Sequence, residues 1–128
     1  KLWGNLTFNP VSALTHATLE QICSFAPTNQ LAVMMMREAQ TIGESLGVHF
    51  KISIEKRIAG AQAVGAHKTS MLQDIEQGKS LELEALLGSV IELGRIAEAN
   101  TPTLDTVYAL TRLLEQSVTI KGKGLSLD

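Results

Sequence analysis

The chain has 128 residues, 45% hydrophobic, 19% charged and 4% aromatic, with a formal charge of -2. That is one domain's worth of core, too apolar to stay disordered, and it has no basic run to track a phosphate backbone, so nucleic acid is not an expected partner. No apolar stretch reaches the roughly 18–20 residues that span a bilayer, and no signal-peptide pattern opens the chain, so no membrane is expected either.

Helical pattern runs from Leu2 to about Asn9. Lys1, Asn5 and Asn9 recur every fourth residue, which stacks an ammonium and two carboxamides on one helix face. Leu2, Trp3, Leu6 and Phe8 supply apolar surface beside that row. Such a row can hold a small polyoxygenated anion, and the lysine can deliver a proton. A solvated polar stripe would give the same spacing. Pro10 is expected to kink the helix or start a new turn, and to bias Asn9 away from helical backbone. His16 reads as a surface or capped residue.

Thr18 with Gln21 three residues on forms a capping box for a short helix through Ile22. Cys23, set among Leu19, Ile22 and Phe25, reads as small core filler. As the single cysteine it cannot form an internal disulfide, which fits a reducing, cytoplasmic setting. Ala26–Asn29 reads as a turn, with Thr28 or Asn29 capping a long helix from Asn29 to Leu46 that Gly47 ends. Within it, Met34, Met35 and Met36 read as gap-filling core. Val48–Lys51 is an extended link, and Ser53 caps a helix through Ile54, Ile58 and Val64. Gly60 and Gly65 echo a phosphate-binding loop. Lys68 and Thr69 come two residues late for it, however, and no strand precedes. Close helix packing and a helix end are the expected roles of the two glycines.

Ser70 opens a short helix over Met71–Gln77. Leu83–Ala99 and 103 to about 118 are two further amphipathic helices, the second capped by Thr101 or Thr103. Residues 119–128 are expected to form a mobile tail. The fold class is therefore all-α, a bundle of six or seven helices. His16, His49, His67 and Cys23 share no metal-ligand spacing. Ser70 lacks the glycines of a nucleophile elbow. What remains is a dispersed polar set: Lys1, Asn5, Asn9, Ser70 and Glu82.

Three stretches carry a resemblance. KLWGNLTFNPVSALT resembles the helix that opens the C-terminal domain of ketopantoate reductases (2-dehydropantoate 2-reductases), with its K-x-x-x-N-x-x-x-N-P run. KTSMLQDIEQGKSLELEALLG is similar to that family's S-S-M-x-Q-D followed by G-R-x-T-E-I-D-x-x-N-G, and NTPTLDTVY to its T-P-x-x-x-x-x-Y stretch. The three occur in family order over nearly the whole chain. Lys79, Leu81, Glu84 and Leu87 depart from the pattern, where arginine, threonine, aspartate and asparagine are usual.

The resemblance implies the helical C-terminal domain of a 6-phosphogluconate dehydrogenase-like reductase, reducing a 2-oxo acid, ketopantoate to pantoate, on the route to coenzyme A. It implies Lys1 as the catalytic acid that protonates the ketone oxygen, and Glu82 beside it as a tuning and positioning carboxylate. Asn5 and Asn9 would orient the substrate, and Ser70 would bind its carboxylate. NADPH would sit mainly on an N-terminal Rossmann domain, which residues 1–128 lack and cannot replace. The sequence reads as a piece of a longer protein, and alone it is expected to be inactive. Without that partner domain an apolar patch near Leu2, Trp3 and Leu6 is expected at the surface, which a homodimer could cover. The alternatives are a non-catalytic helical dimerisation module, or a family member acting on another 2-oxo acid.

Overall fold

The computed structural model describes residues 2–66, 69–76 and 87–121, with backbone alone at 2–5, 70, 74–75 and 118–121. Among the described residues seven helices follow one another: α1 (Leu2–Thr15), α2 (Leu19–Ser24), α3 (Ala26–Ser45), α4 (Ile54–Val64), α5 (Ser70–Glu76), α6 (Ser89–Ile96) and α7 (Pro102–Lys121). Among the described residues there is no strand. The all-helical expectation holds.

The bundle is built around α1. Every residue from Leu6 to Ala13 is buried, polar and apolar alike, and α2, α3, α5 and α7 all pack against this helix. A helix buried on all sides is a central element rather than an amphipathic surface one. A solvated stripe through Asn9 is thereby ruled out. Leu6, expected at an exposed patch, is fully buried in the core with Met35, Ile42 and Leu104.

Pro10 lies inside α1 without ending it, and Asn9 stays helical. Proline has no N–H to offer the Leu6 carbonyl, so one rung of the helix is missing. Burial of the flanking turns outweighs that local cost, and for the same reason Asn9 does not leave the helical region. The helix stops at His16, which adopts φ 63°. Ser12 Oγ steadies this exit by donating to the Ala17 carbonyl at 2.7 Å.

The capping box at Thr18 and Gln21 forms as expected, with Gln21 N to Thr18 Oγ1 at 3.3 Å and Thr18 N to Gln21 Oε1 at 2.9 Å. The start of α3 differs. It begins at Ala26, with Pro27 in its first turn, three residues before the expected Asn29. Thr28 and Asn29 reach backwards instead, donating to the carbonyls of Ile22 (2.6 Å) and Cys23 (2.8 Å). They close the end of α2 and weld it to α3. Gly47, at φ 88°, ends α3 as its sequence position implies.

Cys23 is buried core filler, and burial pushes its thiol pKa up. Met35 and Met36 are buried, whereas Met34 is about half exposed, at 51%. The two glycine expectations separate. Gly65 ends α4 at φ 88°, but a Cβ on Gly60 would meet nothing within 4 Å, so no close packing explains it. The close-packing glycine is Gly94 on α6, where a Cβ would lie 2.9 Å from Ile42 Cδ1 and 3.2 Å from Thr101 Cγ2.

The expected Leu83–Ala99 helix is seen as α6, entered through a wider turn at 87–88, and residues 77–86 lie outside the described ones. Leu87, one of the departures from the family pattern, is fully buried. Neither Thr101 nor Thr103 caps α7 with its side chain as expected. The carboxylate of Glu38, from the middle of α3, does so: Oε2 accepts from Thr103 N at 3.0 Å and Oε1 from Leu104 N at 2.9 Å. Thr101 Oγ1 donates to Asp105 Oδ1 at 3.1 Å. The helix continues to Lys121, so 119–121 are helical rather than tail; residues 122–128 lie outside the described ones.

Candidate functional site

Three of the five sequence-derived site residues fall on two helices that touch. Asn5 and Asn9 are one turn apart on α1, Ser70 is the first residue of α5, and α5 packs directly against α1. Asn5 and Ser70 are placed by their backbone only. Lys1 and Glu82 lie outside the described residues. Of the five, only Asn9 lies among the residues whose side chains are described.

Asn9 is 7% exposed. Its side chain makes no hydrogen bond to any described residue, whereas Ser12 and Thr111, which are fully buried, both bond backbone carbonyls. No described side-chain nitrogen or oxygen is both sealed from solvent and unpartnered, so the amide of Asn9 keeps its small remaining access at its polar end. A carboxamide can form about four hydrogen bonds, two as donor and two as acceptor. A buried amide with open valences suits a ligand that brings both donors and acceptors.

The α5 side of this wall is set by Thr69. Its hydroxyl accepts from Leu72 N at 3.1 Å and its carbonyl accepts from Gln73 N, also at 3.1 Å. Thr69 is thus the N-cap of α5, and Ser70, read from sequence as the residue opening the helix, occupies its first turn. Sequence reasoning missed Thr69 because two hydroxyl residues stand side by side and either can cap. Met71 and Leu72, both buried, anchor the helix beneath. Among the described residues, no group of three or more His, Cys, Asp or Glu is placed to hold a metal ion. No helix there is long and apolar enough to cross a membrane.

A nucleotide-phosphate cradle needs a glycine turn between a strand and a helix. Gly60 sits inside α4 and Gly65 at its end, with no strand among the described residues. This helical domain does not fit the phosphate-binding half of a dinucleotide enzyme. It is of the class of all-helical domains built around a buried central helix.

Comparison with known proteins gives that class a family. Residues 1–115 match the family described as ketopantoate reductase PanE/ApbA C-terminal. A 2-dehydropantoate 2-reductase of Mesorhizobium japonicum is 58% identical over 114 residues, which cover 89% of this chain and 35% of that protein. The crystal structure of 2-dehydropantoate 2-reductase from Methylococcus capsulatus superposes with a TM-score of 0.85 at 31% identity, over 98% of this chain and 42% of that one. The chain belongs to the ketopantoate reductase family and corresponds to its helical C-terminal domain. It spans about a third of the length of the Mesorhizobium relative. The same fold, at 18% identity and a TM-score of 0.83, occurs in a D-mandelate dehydrogenase whose structure holds NADH and anilino(oxo)acetate; this match covers 93% of this chain and 40% of that one. The helical architecture therefore does not by itself fix a substrate.

Proposed function

We propose that this chain is the substrate-side domain, residues 1–128, of an NADPH-dependent reductase that converts ketopantoate to pantoate. The observation that carries the reading is Asn9, an amide more than nine-tenths buried in the central helix without a hydrogen-bond partner among the described residues. Its two donor and two acceptor positions are therefore available to a ligand that reaches its open polar end.

In this reading Lys1 hydrogen-bonds the ketone oxygen and gives it a proton as the carbonyl carbon becomes tetrahedral. Asn5 and Asn9, one turn apart, hold the substrate's hydroxyl and carbonyl oxygens, so that binding is spent on orientation. Ser70 binds the carboxylate from α5, and Glu82 positions the lysine and tunes its proton affinity. When bound, NADPH supplies the hydride, and it is held by an N-terminal Rossmann domain rather than by these helices. The 128-residue domain alone is inactive, and the whole enzyme is cytoplasmic. The test is NADPH-dependent reduction of ketopantoate by the full-length protein beside its Lys1→Ala variant. Reduction that survives the substitution undiminished would sink the assignment.

A second reading, a helical module for self-association, is favoured by one observation. Ile96 and Leu113 are 71% and 64% exposed on the outer faces of α6 and α7. Sedimentation of the isolated domain separates the two: a monomer at high concentration removes this reading and leaves the first intact.

A further inference from the structure

We infer that Thr69 is a positioning residue for substrate binding, acting through the helix turn that begins at Ser70. The inference rests on the reading above, in which Ser70 binds the substrate carboxylate.

Helix α5 is described over 7 residues, Ser70–Glu76, and its first turn depends on capping and packing as well as on the helix's own hydrogen bonds. Two things keep it formed: the burial of Met71 and Leu72 against the core, and the two bonds that converge on Thr69. The hydroxyl takes the Leu72 N–H, and the carbonyl takes the Gln73 N–H, the first rung of the helix. Ser70 lies between Thr69 and those two donors, so its place is set by bonds it does not itself make. Thr69 is 7% exposed, which limits water's ability to replace the hydroxyl if it is lost. Its β-branch also restricts χ1, which favours holding the capping oxygen in one orientation. A serine or threonine cap contributes roughly 1 kcal/mol to its helix. If the formed first turn is the state that binds, losing the cap lowers substrate affinity by up to about fivefold, because only the competent fraction counts.

The experiment uses the full-length protein with ketopantoate as the probe. Thr69→Val removes the hydroxyl and keeps the shape. It is expected to raise KM measurably, by at most about fivefold, with kcat changed much less, and Thr69→Ser is expected to restore the wild-type KM. Thr69→Ala, read the same way, covers the case in which the valine does not fold. Ser53→Ala removes the equivalent cap of α4, where Ser53 Oγ accepts from Lys56 N at 3.2 Å, far in the chain from α5. It should lower thermal stability comparably and leave KM alone.

A wild-type KM in Thr69→Val, while Ser70→Ala raises it, overturns the inference and leaves the assigned function standing. A KM rise in Ser53→Ala as large as in Thr69→Val also overturns it, since general loosening would then explain both. An unchanged KM in Ser70→Ala breaks the underlying reading, and the inference falls with it.

Discussion

The centre of α1 and the junction of α3 with α7 bury polar groups in opposite ways. At the junction, Glu38 places one carboxylate oxygen on each of two backbone N–H groups, and Thr101 bonds Asp105. In α1, Asn9 is buried at least as deeply and has no partner among the described residues. The polar groups at the junction find their partners inside the fold, whereas the Asn9 amide finds none among the described residues. Neither burial nor residue type distinguishes the two cases; the presence of a partner does.

The comparison can be broken from either side. Lys1→Ala should have the largest effect, lowering the kcat of ketopantoate reduction by about 10²–10⁴-fold in the full-length enzyme. A purely structural substitution belongs at the other pole: Glu38→Ala strands two N–H groups at the start of α7. It should cost about 2–3 kcal/mol in denaturant unfolding while the KM of folded enzyme stays near wild type. Asn9→Ala should do the reverse. Its KM should rise roughly tenfold, while stability is kept or raised by about 0.5 kcal/mol, because alanine is the better helix former and no internal bond is lost. A destabilised Asn9→Ala with an unchanged KM would erase the distinction between the regions.

The smallest effect concerns Cys23. Burial raises the thiol's folded pKa, so its contribution is fully present below the unfolded value and is lost as pH rises through the folded one. Stability should therefore fall on the alkaline side, as pH rises past the thiol's unfolded value, and Cys23→Ala should flatten that fall in pH-dependent unfolding.

Much of this was legible in the sequence, for identifiable reasons. Thr18, Ser53 and Gly47 act on their immediate neighbours, so a local pattern is enough to assign them. The family resemblance over NTPTLDTVY and KTSMLQDIEQGKSLELEALLG named the helical domain correctly. What escaped was tertiary. The cap of α7 comes from Glu38, which no window around Thr101 contains. Thr28 and Asn29 look like forward caps but bond backwards to α2. Gly60 and Gly94 carry the same residue type, and only the position of Ile42 tells which one is packed. For the site, spacing placed Asn5 and Asn9 on one helix, but it could not show that the helix runs through the middle of the bundle. That position makes the open amide of Asn9 significant.

The Glu38 clasp also bears on the order in which the chain can fold. It ties residue 38 to residues 103 and 104, so the chain between them forms one large loop that includes α4, α5 and α6. Loop closure over that length is slow relative to local helix formation. On a growing chain, α1 to α3 can pair early, but Leu104 and Val107, which complete the core around them, are made late. A nascent chain halted before Pro102 would hold a central helix with one flank bare and a glutamate with nothing to cap. Helix α7, the last among the described residues, is the one that shuts the bundle.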